Sequence, residues 1–387
     1  MYVAAIKRDS SRHHSTSESA MDKSCKGSVL AGFQRMIPES RSRITRSSFI
    51  LLLLFSIALL LFVFIFRHKS CATLDGRRIR IDKMCPENSN LCFNVYIVKM
   101  AIGKKKEIVR LLRYDGRGGN GDSGDTAVVI RPSVGRKGSY DVSRCPDFRK
   151  WLIDHTTFTT QYMASMVAAT FLMESLPLQE TNKDKQVLAI GLGGGAFDMG
   201  LHRIKPHVNI TVVELEPVVI KLAFKWFGVV DSETHHTILQ DGVKFVDDSL
   251  SQGRKYDIIA LDACGQLSDP VVCPAEPFQN LHTLEKIKNI LTPTGSVVVN
   301  LISLYNSASN DVGWKKVLKM FGSTFNTCVL LNMRTMVNVV LSCTPFSFPN
   351  VPNLMEYLDN RLDTVISTLN LDYILDNALY VTLLSGK

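Results

Sequence analysis

The residues best suited to chemistry are a glycine cluster and three acids spaced along the second half of the chain. Residues 187–196 read VLAIGLGGGA: four apolar residues suited to a buried strand run straight into Gly191, Gly193, Gly194 and Gly195. Glycine lets a backbone turn sharply and pass close beneath a bound nucleotide, where a Cβ would clash. Glu214 ends the next apolar run, and an acid about 20 residues after such a loop can accept hydrogen bonds from ribose hydroxyls. Asp241-Gly242 ends a third strand-like run, where a carboxylate can accept from an adenine amino group. Asp262 ends a fourth, Tyr256-Asp-Ile-Ile-Ala-Leu. Any one of these acids is equally well a cap. In order, at successive strand ends, they mark a nucleoside site at the carboxyl edge of a parallel sheet. The expected cofactor contacts are Gly191, Gly193, Gly195, Glu214, Asp241 and Gly242, with Asp262 at the same edge.

The elements that must position these residues are visible as an alternation. From Lys185 onward the strand candidates are VLAI, NITVVEL, HTILQ, YDIIALDA and GSVVVNLI. Helices are expected between them at 196–204, 218–227, 242–251 and 277–291, the last stopped by Thr292-Pro-Thr-Gly295. Such alternation gives a parallel sheet with helices on both faces. CVLLNM and MVNVVLSC, joined by a few residues, should pair antiparallel and close the sheet's edge. Upstream, residues 71–145 hold short β-like runs divided by GRGGNGDSGD, and residues 158–176 show apolar residues at helical spacing. The expected fold is α/β: a Rossmann-like seven-stranded sheet with a small N-terminal β unit, preceded by one transmembrane helix. The boundaries are a disordered basic tail (1–48), the membrane span (49–66), an antiparallel β unit (71–150), the α/β domain (151–345) and a C-terminal helical extension (346–387).

The span rests on FILLLLFSIALLLFVFIF, an uncharged stretch of 18 residues at 49–66, close to the minimum that crosses a bilayer. It reads as an uncleaved signal-anchor, since the polar segment before it is too long for an ordinary cleaved signal. Arginines and lysines flank both ends, so the positive-inside rule does not set the orientation. Eight of the nine cysteines follow the span, an even number that suits an oxidising lumen and equally a cytosolic protein with scattered buried thiols. The expected placement is type II, in the endoplasmic reticulum or Golgi. Asn209-Ile-Thr211 forms a glycosylation sequon at the start of a core strand and is expected to be unused. The net charge of +9 lies upstream: residues 151–387 carry seventeen Lys and Arg against twenty-three Asp and Glu. An acidic site-bearing half counts against nucleic acid as a partner.

With these residues assembled, the region from about Phe158 to Cys343 resembles the spermidine-synthase-like branch of class I S-adenosylmethionine-dependent methyltransferases. Within that branch it is most similar to the C-terminal domain of methyltransferase-like protein 13. The shared signals are GLGGG, VVELEP, KWFG, the DG at 241–242, YDIIALD, CPAEPF and ILTPTG before NLI. The resemblance implies S-adenosyl-L-methionine as cofactor. Gly191, Gly193 and Gly195 would pass under its amino-acid end, Glu214 would hold the ribose and Asp241 would meet the adenine amine. Asp262 corresponds to the acid beside the reactive sulfonium and would serve as catalytic residue, either as base or by only orienting a substrate amine or the methionine end of the cofactor. The implied activity is transfer of a methyl group to an amine or carboxylate acceptor, with a protein acceptor and a homodimer admitted and the bilayer a partner through residues 49–66.

The departures narrow the reading. Aminopropyltransferases place a second aspartate three residues after that acid, where this chain has Gly265. Their upstream Tyr-His pair is Thr160-Gln161 here. A diamine buried without partners for both ammonium groups is costly, so polyamine synthesis is disfavoured. A catalytically inactive binding protein of the same fold and a nicotinamide-dependent oxidoreductase stand as alternatives. His155, His235 and His236 are not at metal-ligand spacing with any cysteine and are expected in loop or capping roles; no metal is expected. Cys264 and Cys273 are compatible with a disulfide, free thiols or a lid. Trp226 is expected in the core.

Overall fold

The computed structural model describes residues 53–60, 74, 77–87, 89, 92–115, 126–132, 147–266, 269–303, 312–334, 337–348 and 351–384. The chain divides into two units, Met1–Phe64 and Ile65–Lys387. The expected tail at 1–48 lies outside the described residues, as does most of the expected span. Residues 53–60 are helical with exposed apolar side chains. Among the described residues no helix is long and apolar enough to cross a membrane.

The second unit holds two sheets. The first is antiparallel in chain order: β1 (Ile79–Met84), β2 (Phe93–Ile102), β3 (Lys105–Tyr114), β4 (Thr126–Arg131) and β5 (Leu152–Asp154). Helix α1 (Gln161–Leu172) follows and is buried from Met163 to Leu172, because both sheets contribute side chains to the cluster around it. A helix apolar on every side belongs in an interior.

The second sheet begins with alternation: β6 (Gln186–Ile190), α2 (Ala196–Ile204), β7 (Asn209–Glu214), α3 (Pro217–Trp226), β8 (His235–Leu239), α4 (Gly242–Ser251) and β9 (Tyr256–Leu261). Then come β10 (Val271–Cys273), α5 (Leu281–Asn289), β11 (Leu291–Ser303), α6 (Val312–Thr324), β12 (Thr327–Met333) and β13 (Val339–Thr344). The chain closes with α7 (Leu354–Thr368), α8 (Asp372–Leu375) and β14 (Leu379–Leu383). The strand order is β14-β12-β13-β11-β9-β6-β7-β8, with β10 paired to β11. Pairs from β11 through β9, β6 and β7 to β8 are parallel; β13, β12 and β14 join antiparallel. The seven expected strands are present, and β10 and β14 make nine. The expected helical extension 346–387 thus contains a strand: β14 lies beside β12 and is the sheet's edge.

The period of two explains both faces. Val187, Ala189, Ile258 and Ala260 enter the cluster around α1, while Leu188, Ile190, Ile259 and Leu261 enter the opposite cluster with α4, α5 and α6. Strands covered on both faces read as unbroken apolar runs, which is how they read in the sequence.

Three disulfides are formed among the described residues: Cys85–Cys92, Cys264–Cys273 and Cys328–Cys343. The last joins directly paired positions of β12 and β13. The Asn209 side-chain amide donates to Gln186 Oε1 at 2.8 Å, so the sequon's acceptor nitrogen is engaged at a partly buried strand start.

Candidate functional site at the carboxyl edge of the sheet

The register places the sequence-predicted acids in one row. Ile190 pairs with Val213 and with Leu261, and Glu214 pairs with Leu239. One step further, Gly191, Glu214 and Asp262 stand level at the tips of β6, β7 and β9, with Gln240-Asp241 beyond β8. Strands lie about 4.8 Å apart, so the row from β8 to β9 spans roughly 14 Å, enough for an adenosine carrying a short tail.

The glycines of the loop are held tightly. Gly191, Gly193 and Gly195 adopt φ of 100°, 54° and 70°, which L side chains rarely accept. A Cβ on Gly191 would sit 2.7 Å from the Asp262 carbonyl oxygen, one on Gly193 2.4 Å from Thr126 Oγ1, and one on Gly195 2.4 Å from a Val229 methyl. The Cβ positions therefore face protein: packing against β9, β4 and the segment after α3 requires glycine here, independently of any ligand. Gly242 is required in the same way by Ile190 and Phe278. The loop's amides are also engaged. Gly191 N–H donates to Val213 and Gly195 N–H to Leu192, while Gly194 N–H donates to Thr126 Oγ1. The N–H groups of Leu192 and Gly193 donate to Glu214. A pyrophosphate would need such amides for itself, so the nicotinamide-dependent alternative loses its main support.

Glu214 lies at the junction. Oε2 accepts from Leu192 N–H at 3.0 Å and Oε1 from Glu216 N–H at 2.8 Å. Burial pushes its carboxyl above the ordinary value, against backbone donors that pull it down. The carboxylate thus stitches β7 to the glycine loop, with the N–H groups of Leu192, Gly193, Leu215 and Glu216 directed at it. Asp241 is exposed and caps α4, its Oδ1 accepting from Val243 and Lys244 N–H at 2.8 and 3.0 Å. Leu215 and Leu239, large apolar side chains at the same tips, are 67% and 56% exposed, a surface suited to an aromatic base.

Asp262 is partly buried. Its Oδ1 accepts from Asn300 Nδ2 at 2.7 Å, and Asn300 Oδ1 accepts in turn from Asn338 Nδ2 at 2.9 Å. The following loop is tied by Cys264–Cys273, which settles the three options open in the sequence. Gly265 stands where a second aspartate would be needed for a polyamine, and a Cβ there would lie 2.4 Å from Asp269 Oδ2. Thr160 is the N-cap of α1 without a side-chain hydrogen bond.

Several residues at the site escape sequence reasoning. Thr126, from the small sheet, closes on Gly193 and Gly194; nothing local in the sequence announces it. His235 is corrected from a loop or capping role: it opens β8, is fully buried, and its Nε2 lies 2.8 Å from Asp198 Oδ2 in the first turn of α2. His155 is also buried, with its pKa pushed down by burial, whereas His236 is exposed. Trp226 is only partly core: its Nε1 donates to Asp82 of β1.

An open sheet that reverses only in its last strands, with acids level at its carboxyl edge, belongs to the α/β proteins that bind ligands at that edge. Residues 166–346 match the family described as the spermine/spermidine synthase domain. The eEF1A lysine and N-terminal methyltransferase of Homo sapiens is 28% identical over 198 residues, which are 49% of this chain and 27% of that protein. The Drosophila melanogaster homolog of that enzyme is 28% identical over 165 residues, 41% of this chain and 24% of its own length. The chain thus spans about a quarter of the length of these curated relatives. A probable spermidine synthase from Corynebacterium glutamicum shares the fold at 14% identity, with a TM-score of 0.50 over 78% of this chain and 89% of that one.

Proposed function

We propose that the protein is an S-adenosylmethionine-dependent methyltransferase acting on a protein amine, anchored in the membrane through residues 49–66 with its catalytic domain in the lumen of the endoplasmic reticulum or Golgi. The observation that carries the activity is the level row of Glu214, Gly191 and Asp262 at the sheet's carboxyl edge. The residues fit the cofactor. Glu214 stands at the β7 tip where the ribose would lie, Leu215 and Leu239 offer apolar surface to the base, and Asp262 offers a negative charge to a sulfonium. When bound, S-adenosylmethionine supplies an electrophilic methyl group.

The chain's own residues then hold the acceptor in line, which supplies much of the acceleration in displacements of this kind. An amine arrives mostly protonated, and its proton must leave before its lone pair can attack. Asp262 attracts the ammonium and accepts that proton, help worth about 10²–10⁴-fold. A carboxylate acceptor would meet like charge at the same place, so an amine is favoured. The names of the curated relatives, lysine and N-terminal methyltransferases, support an amine as well.

The compartment rests on the cysteines. Three formed disulfides are at home in an oxidising lumen and rare in the cytosol. The acceptor is then a protein of the secretory pathway rather than a cytosolic one. Calorimetric titration of the protein with S-adenosylmethionine tests the activity: saturable heat is expected, and absence of both heat and a thermal shift would refute the reading.

A further inference from the structure

Asp262, Asn300 and Asn338 lie side by side on one face of three neighbouring strands. Val299 pairs with Leu261, so Asn300 stands level with Asp262. Asn300 pairs with Val340, and Asn338 is its diagonal neighbour two residues away, within reach across an antiparallel pair. Both amides are buried, at 2% and 6% exposure. Two adjacent buried carboxamides need a reason, since each costs free energy unless it is hydrogen-bonded.

The direction of the chain follows from donor chemistry. An ionised aspartate only accepts. Asn300 must therefore present its NH₂ to Asp262, which turns its carbonyl toward Asn338. Asn338 must then present its own NH₂. Both amide dipoles point their positive ends along the row toward the carboxylate. Hydrogen bonds to the charged form hold that form and fix where it points.

We infer that Asn338 and Asn300 form a two-amide relay that positions the Asp262 carboxylate for recognition of positive charge at the reacting centre. This rests on the cofactor reading above. Asn300 acts by touching Asp262, and Asn338 acts only through Asn300; both are positioning residues. The relay is neutral, so it orders the carboxylate without adding a countercharge of its own.

The test compares two cofactor analogues and needs no knowledge of the acceptor. S-adenosylhomocysteine has no charge at the reacting centre. Sinefungin carries a protonated amine there. The wild-type protein is expected to bind sinefungin more tightly, and Asp262→Asn to abolish that preference. Asn338→Ala is expected to leave S-adenosylhomocysteine affinity unchanged and to reduce the sinefungin preference about tenfold. Asn338→Asp keeps the shape but can only accept. It forces Asn300 to turn its carbonyl on Asp262 and should reduce the preference at least as far. In the Asn300→Ala background, Asn338→Ala should add nothing, because its effect runs through Asn300.

Retention of the wild-type preference in both Asn338 variants would overturn the relay. So would additive losses, or equal losses on both analogues, the pattern of a merely structural role. A wild-type protein that binds both analogues alike would overturn the relay and leave the cofactor reading standing. A protein that binds neither would remove both.

Discussion

At Glu214 one carboxylate serves two partners. It holds the glycine loop through backbone N–H groups and stands at the tip of β7 where a ribose is expected. The sequence displays the acid and its spacing, and the structure places the acid at the end of β7. It does not display the N–H groups of Leu192 and Glu216 that the side chain accepts from, because those depend on how the loop returns. The glycines show the same limit. Their number announces a tight turn, but their crowding against Thr126, Val229 and the Asp262 carbonyl is a tertiary fact. Removing the Glu214 side chain leaves the buried N–H groups of the loop without an acceptor and, on the proposed reading, takes the ribose's partner away. Glu214→Ala is expected to weaken S-adenosylhomocysteine binding by about 1–3 kcal/mol, read by calorimetry. Unchanged affinity would move the ribose elsewhere.

Among elements, α2 and β8 are joined by the buried His235–Asp198 contact, with Asp231 3.8 Å from the other ring nitrogen. Burial works against the imidazolium, but Asp198 and Asp231 outweigh it and the His235 pKa is raised. The folded protein therefore holds this proton more tightly than the unfolded chain does. The resulting stability is full below the unfolded pKa of about 6.5 and is lost as pH rises through the higher folded value. His155 pulls the other way, because burial lowers its pKa and acid favours the unfolded chain there. Comparison of wild type with His235→Gln isolates the first effect. The variant should be destabilised by about 3 kcal/mol at pH 5.5, as for a broken buried pair, and by less at pH 8.5. Denaturant melts at the two pH values check this, and an equal loss at both would show that the pair is not charged. Neither residue was legible as a pair: Asp198 and His235 are 37 positions apart and meet only because β8 lies beside β7. Strand β14 was missed for a similar reason. LYVTL is short and follows two helices, and only the exposed edge of β12 makes it a strand.

For the whole molecule, alternation of strands and helices fixed the parallel sheet, while its union with the small antiparallel sheet was not visible. That union rests on the shared cluster around α1 and on Arg110 of β3, which is buried and donates across to the Trp226 carbonyl and within its own sheet's unit to Phe148 and Arg149, its pKa lowered to about 10 by burial. Asp82 of β1 completes it by binding Lys225 and Trp226 on α3. The disulfides fall across this whole assembly: Cys85–Cys92 links β1 to β2, Cys264–Cys273 ties the loop after Asp262, and Cys328–Cys343 joins β12 to β13.

A fold bridged in three separate places suits the oxidising lumen proposed above. That match ties the compartment to the six bridged cysteines rather than to the charges around residues 49–66, which flank both ends alike. In membranes from expressing cells, denatured and treated with a maleimide reagent, Cys85, Cys92, Cys264, Cys273, Cys328 and Cys343 should resist alkylation until a reductant is added. In sealed microsomes the region after residue 66 should survive added protease until detergent opens the vesicles. Free alkylation of all six without reductant, together with digestion of the intact vesicles' outer face down to the anchor, would place the catalytic domain in the cytosol. It would also return acceptors of the kind named for the curated relatives to consideration.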